Sequence, residues 1–323
     1  MRAAAPSPGT GNATLLGIEI GGTKTQVAVA DLDARILERA RFSVRREHGA
    51  DEIRRELART LGALRARYSF VGAGVGFGGP VQWRTGDICC SVHVEGWSEF
   101  PLAAWIEELT GAPTLVENDA NPAALAEARF GAGAGANPVF YTNSGTGVGG
   151  GLVVDGEIYH GAEPGEAEFG HLRLDEGGTI LEDRCSGLAV DARVRDIARQ
   201  HPDSALGRLA LDDPGREARH LSVALDQGDA AAAALVHETA ATLAFALSHV
   251  THLFHPEAIV LGGGLSLIGE PWRAAIADRL PALLMSAMQP GPSVLLARLG
   301  EDVVPRGALE LARRASLRNA SSS

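Results

Sequence analysis

Two short segments combine glycine with threonine or serine in a way that suits the binding of an anion. The first contains Gly21, Gly22, Thr23 and Lys24, and the second contains Ser144, Gly145, Thr146 and Gly147. Because glycine lets the backbone come close to a ligand, successive N–H groups in such a turn can form a concave anion site. Either turn alone could be a plain hairpin, but the two recur at equivalent places of a weak internal repeat, offset by about 120 residues. Together they predict a polyphosphate held between two similar domains.

A possible proton acceptor lies in the segment VENDAN. The pattern places Asn118 and Asp119 at the carboxyl end of a strand, directly before a helix, where ligands of open α/β sheets tend to bind. A carboxylate there can act as general base toward a hydroxyl group. It can equally be the N-cap of the helix, and the neighbouring residues leave both interpretations open.

A third group of polar residues follows Gly161. Glu168 and His171 are three residues apart, and Glu182 comes later in the same stretch. Carboxylates and an imidazole can together bind several hydroxyl groups, because ionised oxygens accept strongly and imidazole donates or accepts. The other acidic residues of this stretch are expected to form a solvated loop: Glu163, Glu166, Asp175 and Glu176.

Other glycine and nucleophile motifs are absent or lie in the wrong context. Two stretches match the pattern GxGxxG of dinucleotide-binding enzymes, Gly74 to Gly79 and Gly145 to Gly150. That pattern must open a helix, because the pyrophosphate binds at the helix N-terminus. Here the first match runs into Pro80 and the second into the strand-like LVVDG. The sequence also lacks GxxxxGK[ST], HExxH and GxSxG, so it disfavours dinucleotide enzymes, P-loop enzymes, zinc proteases and serine hydrolases.

Composition narrows the possible partners and the compartment. The 323 residues include 29 Lys and Arg and 40 Asp and Glu, for a net charge of −11. That balance disfavours nucleic acid and anionic membranes as partners. Three cysteines, with Cys89 and Cys90 adjacent, favour a reducing compartment. The first 14 residues lack the apolar centre of a signal peptide, and no uninterrupted apolar run approaches the roughly 20 residues of a membrane span. We therefore expect a cytoplasmic protein.

With 323 residues, the chain is long enough for two domains. Strands are expected on both sides of each Gly/Thr turn, and Ile53, Leu57, Leu61 and Leu64 mark one face of a helix at about residues 50 to 68. Helices are expected from about residue 188 to 254, followed by the strand EAIVLGG. The predicted division is a tail at 1–14, a small α/β domain at 15–117 completed by a C-terminal helix at 304–323, and a larger α/β domain at 118–303.

The sequence resembles the ROK family of bacterial sugar kinases and related repressors. The resemblance extends from Gly17 to about Ala312 and rests on segments that come in the family's order. These are GIEIGGTKT, GVGFGGPV, EGWSEFPL, VENDANPAALAE, NSGTGVGGGLVVDG, GAEPGEAEFGH, LEDRCSGLA and IVLGGGLS. It implies an α/β fold of two ribonuclease H-like domains of the actin and hexokinase type, with a cleft between them.

The resemblance also implies roles for individual residues. It implies ATP as phosphoryl donor with Mg²⁺, its phosphates at Gly21 to Lys24 and Ser144 to Gly147, and its adenosine at Gly262, Gly263 and Gly264. The sugar would bind the family's substrate positions, with Asp119 as general base; these are Gly79, Asn118, Asp119, Glu168, His171 and Glu182. A homodimer is expected on the same ground.

The chain departs from the family pattern at three places. Glu19 stands where the family usually has Asp near Mg²⁺, so we expect it to act on the metal through water. The family's CxCGxxGC segment is missing, and LRLDEGGTILED stands there. Since zinc needs about four ligands, usually thiolate or imidazole, we predict no structural zinc and another means of orienting His171. His93 replaces an Asn near the sugar, so substrate preference is expected to differ.

Two further functions are compatible with the resemblance. Some ROK proteins are sugar-responsive repressors, but these carry a helix-turn-helix domain before the kinase-like part, and here only a short segment precedes the first strand. The third possibility is a protein that binds sugar without turnover, suggested by Glu19 and the missing zinc segment. The identity of the sugar and of the phosphorylated hydroxyl stays open.

Overall fold

The structure, a computed structural model, describes residues 13–91, 94–165, 167–211 and 213–321. The strands are, in chain order, β1 Ala13–Ile20, β2 Lys24–Ala30, β3 Ile36–Ser43, β4 Ser69–Phe77, β5 Val81–Gln82, β6 Asp87–Ile88, β7 Thr114–Asn118, β8 Val139–Ser144, β9 Val148–Val154, β10 Glu157–Ile158, β11 Ala258–Gly262 and β12 Ser293–Leu296. The α-helices are α1 Gly49–Arg65, α2 Leu102–Thr110, α3 Ala120–Phe130, α4 Glu182–Cys185, α5 Gly187–Gln200, α6 Ala205–Ala210, α7 Leu221–Asp226, α8 Ala230–Phe254, α9 Glu270–Arg279 and α10 Val303–Ser321.

The chain divides into two compact units. The first contains the described residues up to Ala126, those of the segment 160–166, and those from Glu301 onward. The second contains Glu127–Tyr159 and the described residues of Ala167–Gly300. The division thus assigns Asn118 and Asp119, which the sequence grouped with the larger domain, to the first unit.

The first unit is built on a five-stranded sheet of order β3-β2-β1-β4-β7. Strands β1, β2 and β3 pair antiparallel, while β4 and β7 run parallel to β1. Strand β1 is buried along nearly its whole length, as expected for a central strand covered on both faces. The residues predicted to form one face of α1 are indeed buried there: Ile53, Leu57, Leu61 and Leu64.

Glycines of β4 allow α10 to pack directly on the strand. A Cβ atom on Gly72 would lie 2.1 Å from the carbonyl oxygen of Ala312, and one on Gly74 would lie 2.0 Å from that of Ala308. No side chain fits between two backbones at such distances. The first GxGxxG match therefore begins in a strand that packs against a helix, and it does not open a helix of its own.

The second unit repeats the same sheet. Its order is β10-β9-β8-β11-β12, with β8, β9 and β10 antiparallel and with β11 and β12 parallel to β8. In both units an antiparallel meander of three strands is extended by two parallel strands. This repetition confirms the predicted α/β class with two ribonuclease H-like units.

Helix α8 is the core helix of the second unit. By length and composition alone, α8 is the one helix among the described residues that could cross a membrane. Half of its most apolar 18-residue window is buried inside the protein. Leu235, Leu243 and Leu247 contribute to the hydrophobic core of the unit. Core packing therefore accounts for its apolar composition.

Candidate active site

The backbone around Asp119 is held by both neighbouring elements. Asp119 follows β7 directly and precedes α3, and its N–H donates to the carbonyl of Phe77 at the end of β4, at 2.8 Å. Its own carbonyl accepts from the N–H of Ala123, at 3.3 Å. The residue is half-buried. The structure thus places this carboxylate at the carboxyl edge of the first sheet, where the sequence predicts it.

Asn118 connects Asp119 to the glycines that follow β4. Its amide nitrogen donates to the carbonyl of Gly79 at 3.2 Å, and its amide oxygen accepts from the N–H of Ala120 at 3.0 Å. A Cβ atom on Gly78 would lie 3.6 Å from Oδ2 of Asp119. Three predicted substrate residues, Gly79, Asn118 and Asp119, therefore lie together in the first unit. The bond to Ala120 is one that an N-terminal cap makes, and here Asn118 makes it.

The first Gly/Thr turn is closed by its own backbone and lies beside a buried carboxylate. The N–H of Gly21 donates to the carbonyl of Lys24 at 3.0 Å. Glu19, on β1, is 9% exposed, accepts from Nε2 of Gln26 at 2.6 Å and lies 3.6 Å from Nζ of Lys24. Burial raises the pKa of Glu19, and the charge of Lys24 opposes that rise. Glu19, Lys24 and the turn form one polar group within the first unit.

This group suits Mg²⁺ held through water. Both oxygens of Glu19 already have protein partners, and Mg²⁺ usually keeps several waters and binds one or two carboxylates together with substrate phosphates. Among the residues that the structure describes, no group of three or more His, Cys, Asp and Glu side chains could hold a metal ion. An ion bound mainly by nucleotide phosphates does not need such a group.

The second Gly/Thr turn packs against two other glycines. The N–H of Gly145 donates to the carbonyl of Gly147 at 2.9 Å, and the N–H of Gly187 donates to the carbonyl of Gly145 at 2.6 Å. A Cβ atom on Gly263 would lie 2.6 Å from the backbone of Ser144, and its φ of +77° also favours glycine. Residues from β8, α5 and the end of β11 are thereby brought together in the second unit.

A cavity of about 390 Å³ opens beside this turn. The predicted nucleotide residues that line it are Ser144, Gly145, Thr146 and Gly264. Gly262 does not line the cavity, and a Cβ atom there would lie 2.3 Å from the hydroxyl of Tyr141. The volume is that of a small-molecule site, so one cavity collects residues from both predicted nucleotide segments of this unit.

Several residues of this cavity carry no recognisable signal in the sequence. Leu188, Asp191, Arg216 and Leu267 also line it. The carboxylate of Asp191 is buried and accepts from the N–H of Ala218 at 2.7 Å, and burial raises its pKa. Helical periodicity was the one signal in this part of the sequence, and it does not distinguish a cavity wall from an ordinary surface.

Glu168, His171 and Glu182 all belong to the second unit. Glu168 and His171 are exposed, at a 3-10 turn formed by Phe169–His171. Glu182 begins α4, and its Oε2 accepts from the N–H of Val148 at 2.8 Å. Among the described residues no hydrogen bond joins these three side chains to one another. Glu182 is instead bonded at the second Gly/Thr turn, and the sugar-binding role of all three stays a prediction.

The cysteine nearest the missing zinc segment is buried in the second unit. Cys185 ends α4, is fully buried, and donates to the carbonyl of Thr239 at 3.6 Å. Burial raises its pKa to about 12, so it is a thiol at neutral pH. His93, Glu166 and the first 12 residues of the predicted tail lie outside the described residues.

Comparisons with known proteins agree with this architecture. The chain is 32% identical to a glucokinase of Halalkalibacterium halodurans over 302 residues, which are 89% of this chain and 91% of that protein. A crystal structure of a ROK family glucokinase from Streptomyces griseus, in complex with glucose and AMPPNP, is 31% identical with a TM-score of 0.82, and the match covers 93% of this chain and 99% of that one.

The fold is not confined to kinases. A ROK family transcriptional regulator described as a homolog of the E. coli MLC protein has a TM-score of 0.83 at 20% identity, with 94% of this chain and 78% of that one covered. At that identity the likeness concerns the fold alone. The sequence model of the ROK family matches residues 15–315, and the chain therefore belongs to the ROK family.

Proposed function

We propose that this protein transfers the γ-phosphoryl group of ATP to a hydroxyl group of a hexose or a related sugar, with Asp119 as the general base. The observation that carries the proposal is the placement of Asp119. Its backbone is fixed at the carboxyl edge of the first sheet, beside Asn118 and Gly79, in a chain similar over 93% of its length to a glucokinase crystallised with glucose and an ATP analogue.

In this proposal Asp119 accepts the proton of the sugar hydroxyl while the hydroxyl oxygen forms a bond to the γ-phosphorus of ATP. The bond between that phosphorus and the bridging oxygen breaks, and ADP leaves. A positioned base of this kind contributes about a hundred- to ten-thousand-fold in rate. Asn118, Glu168, His171 and Glu182 would bind the remaining hydroxyl groups, because amide, carboxylate and imidazole groups together offer both donors and acceptors.

The cavity of the second unit would hold the nucleotide. Ser144, Gly145 and Thr146 would face its phosphates, and the apolar side chains of Leu188 and Leu267 would cover the base. A chain with net charge −11 would bind phosphate through local groups, such as the donors of this turn, and not through a broad basic surface. Mg²⁺, when bound near Glu19 through water, would offset phosphate charge.

The test is a panel of sugars with ATP and Mg²⁺, scored by ADP release in a coupled assay. The panel contains glucose, mannose, fructose, an N-acetylhexosamine and a cyclitol, and a reaction without sugar measures hydrolysis of ATP by water. We expect ADP release above that background with at least one hexose. Silence across the panel, with sugar binding detected by calorimetry, would favour the non-catalytic sugar-binding function instead.

A further inference from the structure

A buried carboxylate two residues before Asp119 connects three separate parts of the first unit. Oε1 of Glu117 lies 2.7 Å from Nε2 of His160, and Oε2 accepts from Nδ2 of Asn121 at 3.1 Å. Glu117 is 6% exposed and Asn121 is 1% exposed. Both oxygens of Glu117 are therefore used inside the protein, away from solvent.

One hydrogen bond of Glu117 joins the residues on either side of the proposed base. Glu117 lies in β7 and Asn121 lies in the first turn of α3, so their bond spans the junction that contains Asp119. The Asp119 N–H is fixed separately by the carbonyl of Phe77. With strand and helix joined across the junction, rotation of the peptide units on either side of Asp119 is restricted.

The other partner, His160, begins a segment that belongs to the first unit although the residues before and after it belong to the second. Its ring stacks on Trp83, with centroids 4.2 Å apart and an interplanar angle of 11°. A Cβ atom on Gly165 would lie 2.5 Å from the Trp83 ring, so the segment packs against that ring at both ends. In sequence it continues directly to Glu168 and His171.

Trp83, Glu117, Asn121 and His160 form one cluster, and it contains buried polar atoms without a hydrogen-bond partner. In the described part of the chain three buried side-chain nitrogen or oxygen atoms have no hydrogen-bond partner, and two of these are Nε1 of Trp83 and Oδ1 of Asn121. Such atoms are rare because their burial is unfavourable, and each one calls for an explanation. A cluster selected for stability alone would replace them with apolar groups, and sites that break this rule are commonly functional.

We propose that Glu117 is a positioning residue for the phosphoryl transfer. Through Asn121 it sets the position of Asp119, and through His160 it holds the segment that leads to Glu168 and His171. This inference rests on the proposed function, since it assigns Glu117 to the placement of the base and of the sugar residues. Glu117 itself touches neither substrate in this proposal.

The test compares Glu117→Gln with Glu270→Gln, a matched change at an exposed carboxylate that pairs with Arg273 on α9. Glutamine keeps one acceptor oxygen and replaces the other with an NH₂ donor, so Glu117→Gln removes the negative charge and one of the two acceptor positions of the cluster. We expect kcat to fall about tenfold to a hundredfold, because small displacements of reacting groups reduce the rate by such factors. KM for ATP should change less than about twofold. Glu270→Gln should match the wild type in both constants.

A second pair of variants covers the case in which Glu117→Gln fails to fold. His160→Gln keeps an N–H donor for Glu117, whereas His160→Phe keeps the ring stacked on Trp83 without a donor. We expect His160→Gln to retain most of kcat and His160→Phe to lose it to the same extent as Glu117→Gln. If the role of Glu117 were purely structural, the loss of activity would instead parallel the loss of melting temperature, and kcat and KM would change together.

The outcomes are distinct. A folded Glu117→Gln variant with wild-type kcat would overturn the positioning role, and so would equal activity of His160→Phe and His160→Gln. In both cases the wild type still turns over, so the proposed function stands. A wild-type protein that releases no ADP with any sugar contradicts the proposed function itself, and the positioning role falls with it.

Discussion

Replacing Gly145 with alanine is expected to weaken ATP binding without weakening the fold. A Cβ atom at Gly145 would meet no other atom within 4 Å, and the backbone there does not require glycine. Two residues later in the same turn, a Cβ atom at Gly147 would lie 2.4 Å from Oε2 of Glu182. The two substitutions add the same methyl group to one turn in opposite surroundings, and they form a matched pair.

The expected magnitudes follow from these surroundings. At Gly145 the methyl group fits the free protein, so the free energy of unfolding should stay the same or rise by up to about 1 kcal/mol. With a phosphate against the turn, the methyl group would displace it and weaken at least one charge-assisted hydrogen bond of about 1.5–3 kcal/mol. That loss corresponds to an increase of about tenfold to a hundredfold in KM for ATP.

At Gly147 the effect should fall on stability first. The Glu182 carboxylate must move by about 1 Å to reach ordinary contact distance, and it then loses the bond from the N–H of Val148, which is 2.8 Å long. A buried donor left unpaired costs about 1–3 kcal/mol. We expect a fall of several degrees in the melting temperature of Gly147→Ala.

Scanning fluorimetry and ADP-release kinetics at varied ATP distinguish the two variants. If Gly145→Ala binds ATP as the wild type does, the turn does not contact the phosphates and the prediction is refuted. It is also refuted if Gly145→Ala loses as much stability as Gly147→Ala, because the open surroundings of Gly145 would then be incorrect.

Three further predictions concern the fold and its charges. Burial raises the pKa of Glu19 above its ordinary 4.5, so above that pH the folded state keeps a proton that the unfolded state has lost, and the unfolding free energy falls as pH rises. Glu19→Gln should therefore gain stability relative to the wild type as pH rises above 4.5, and a pH-independent difference in melting temperature would contradict this. Gly74→Ala should unfold the protein or lower its melting temperature strongly, because a Cβ atom there would lie 2.0 Å from the backbone of α10. Gly62→Ala should be neutral or stabilising, because a Cβ atom at this helical position meets no other atom within 4 Å. Equal melting temperatures of the two variants would show that the close packing at Gly74 is incorrect. Because burial raises its pKa to about 12, Cys185 should not react with Ellman's reagent at pH 8 in the native protein. The exposed Cys90 should react under the same conditions. Rapid labelling of Cys185 would show that its thiol is accessible.

Local patterns in the sequence predict the two Gly/Thr hairpins, whereas the fold of two ribonuclease H-like domains was implied by the resemblance to the ROK family. The two Gly/Thr turns and their flanking strands are local features, and so is the buried face of α1 at Ile53, Leu57 and Leu61. The position of Asp119 at the end of a strand is also a local feature, since a polar residue after an apolar run marks that position. These predictions depend on residues within a few positions of one another.

The parts that could not be predicted depend on contacts between distant residues. Glu117 and His160 are 43 positions apart, and no periodicity connects them. Asp191 lines a cavity together with Gly145 and Leu267, which lie in other parts of the chain. The glycines of β4 resembled a nucleotide fingerprint because close packing on α10 and close approach of a phosphate require the same absence of a side chain.

Asp119→Asn removes the proposed general base and leaves the rest of the site unchanged. Asparagine keeps the size of the side chain but cannot accept the proton, so a decrease in kcat of about a hundredfold or more is expected. Sugar affinity, measured by calorimetry on the same preparation, should stay close to that of the wild type. Loss of phosphorylation with retained sugar binding is the predicted result. Full turnover by Asp119→Asn on the sugar that the wild type prefers would contradict the account.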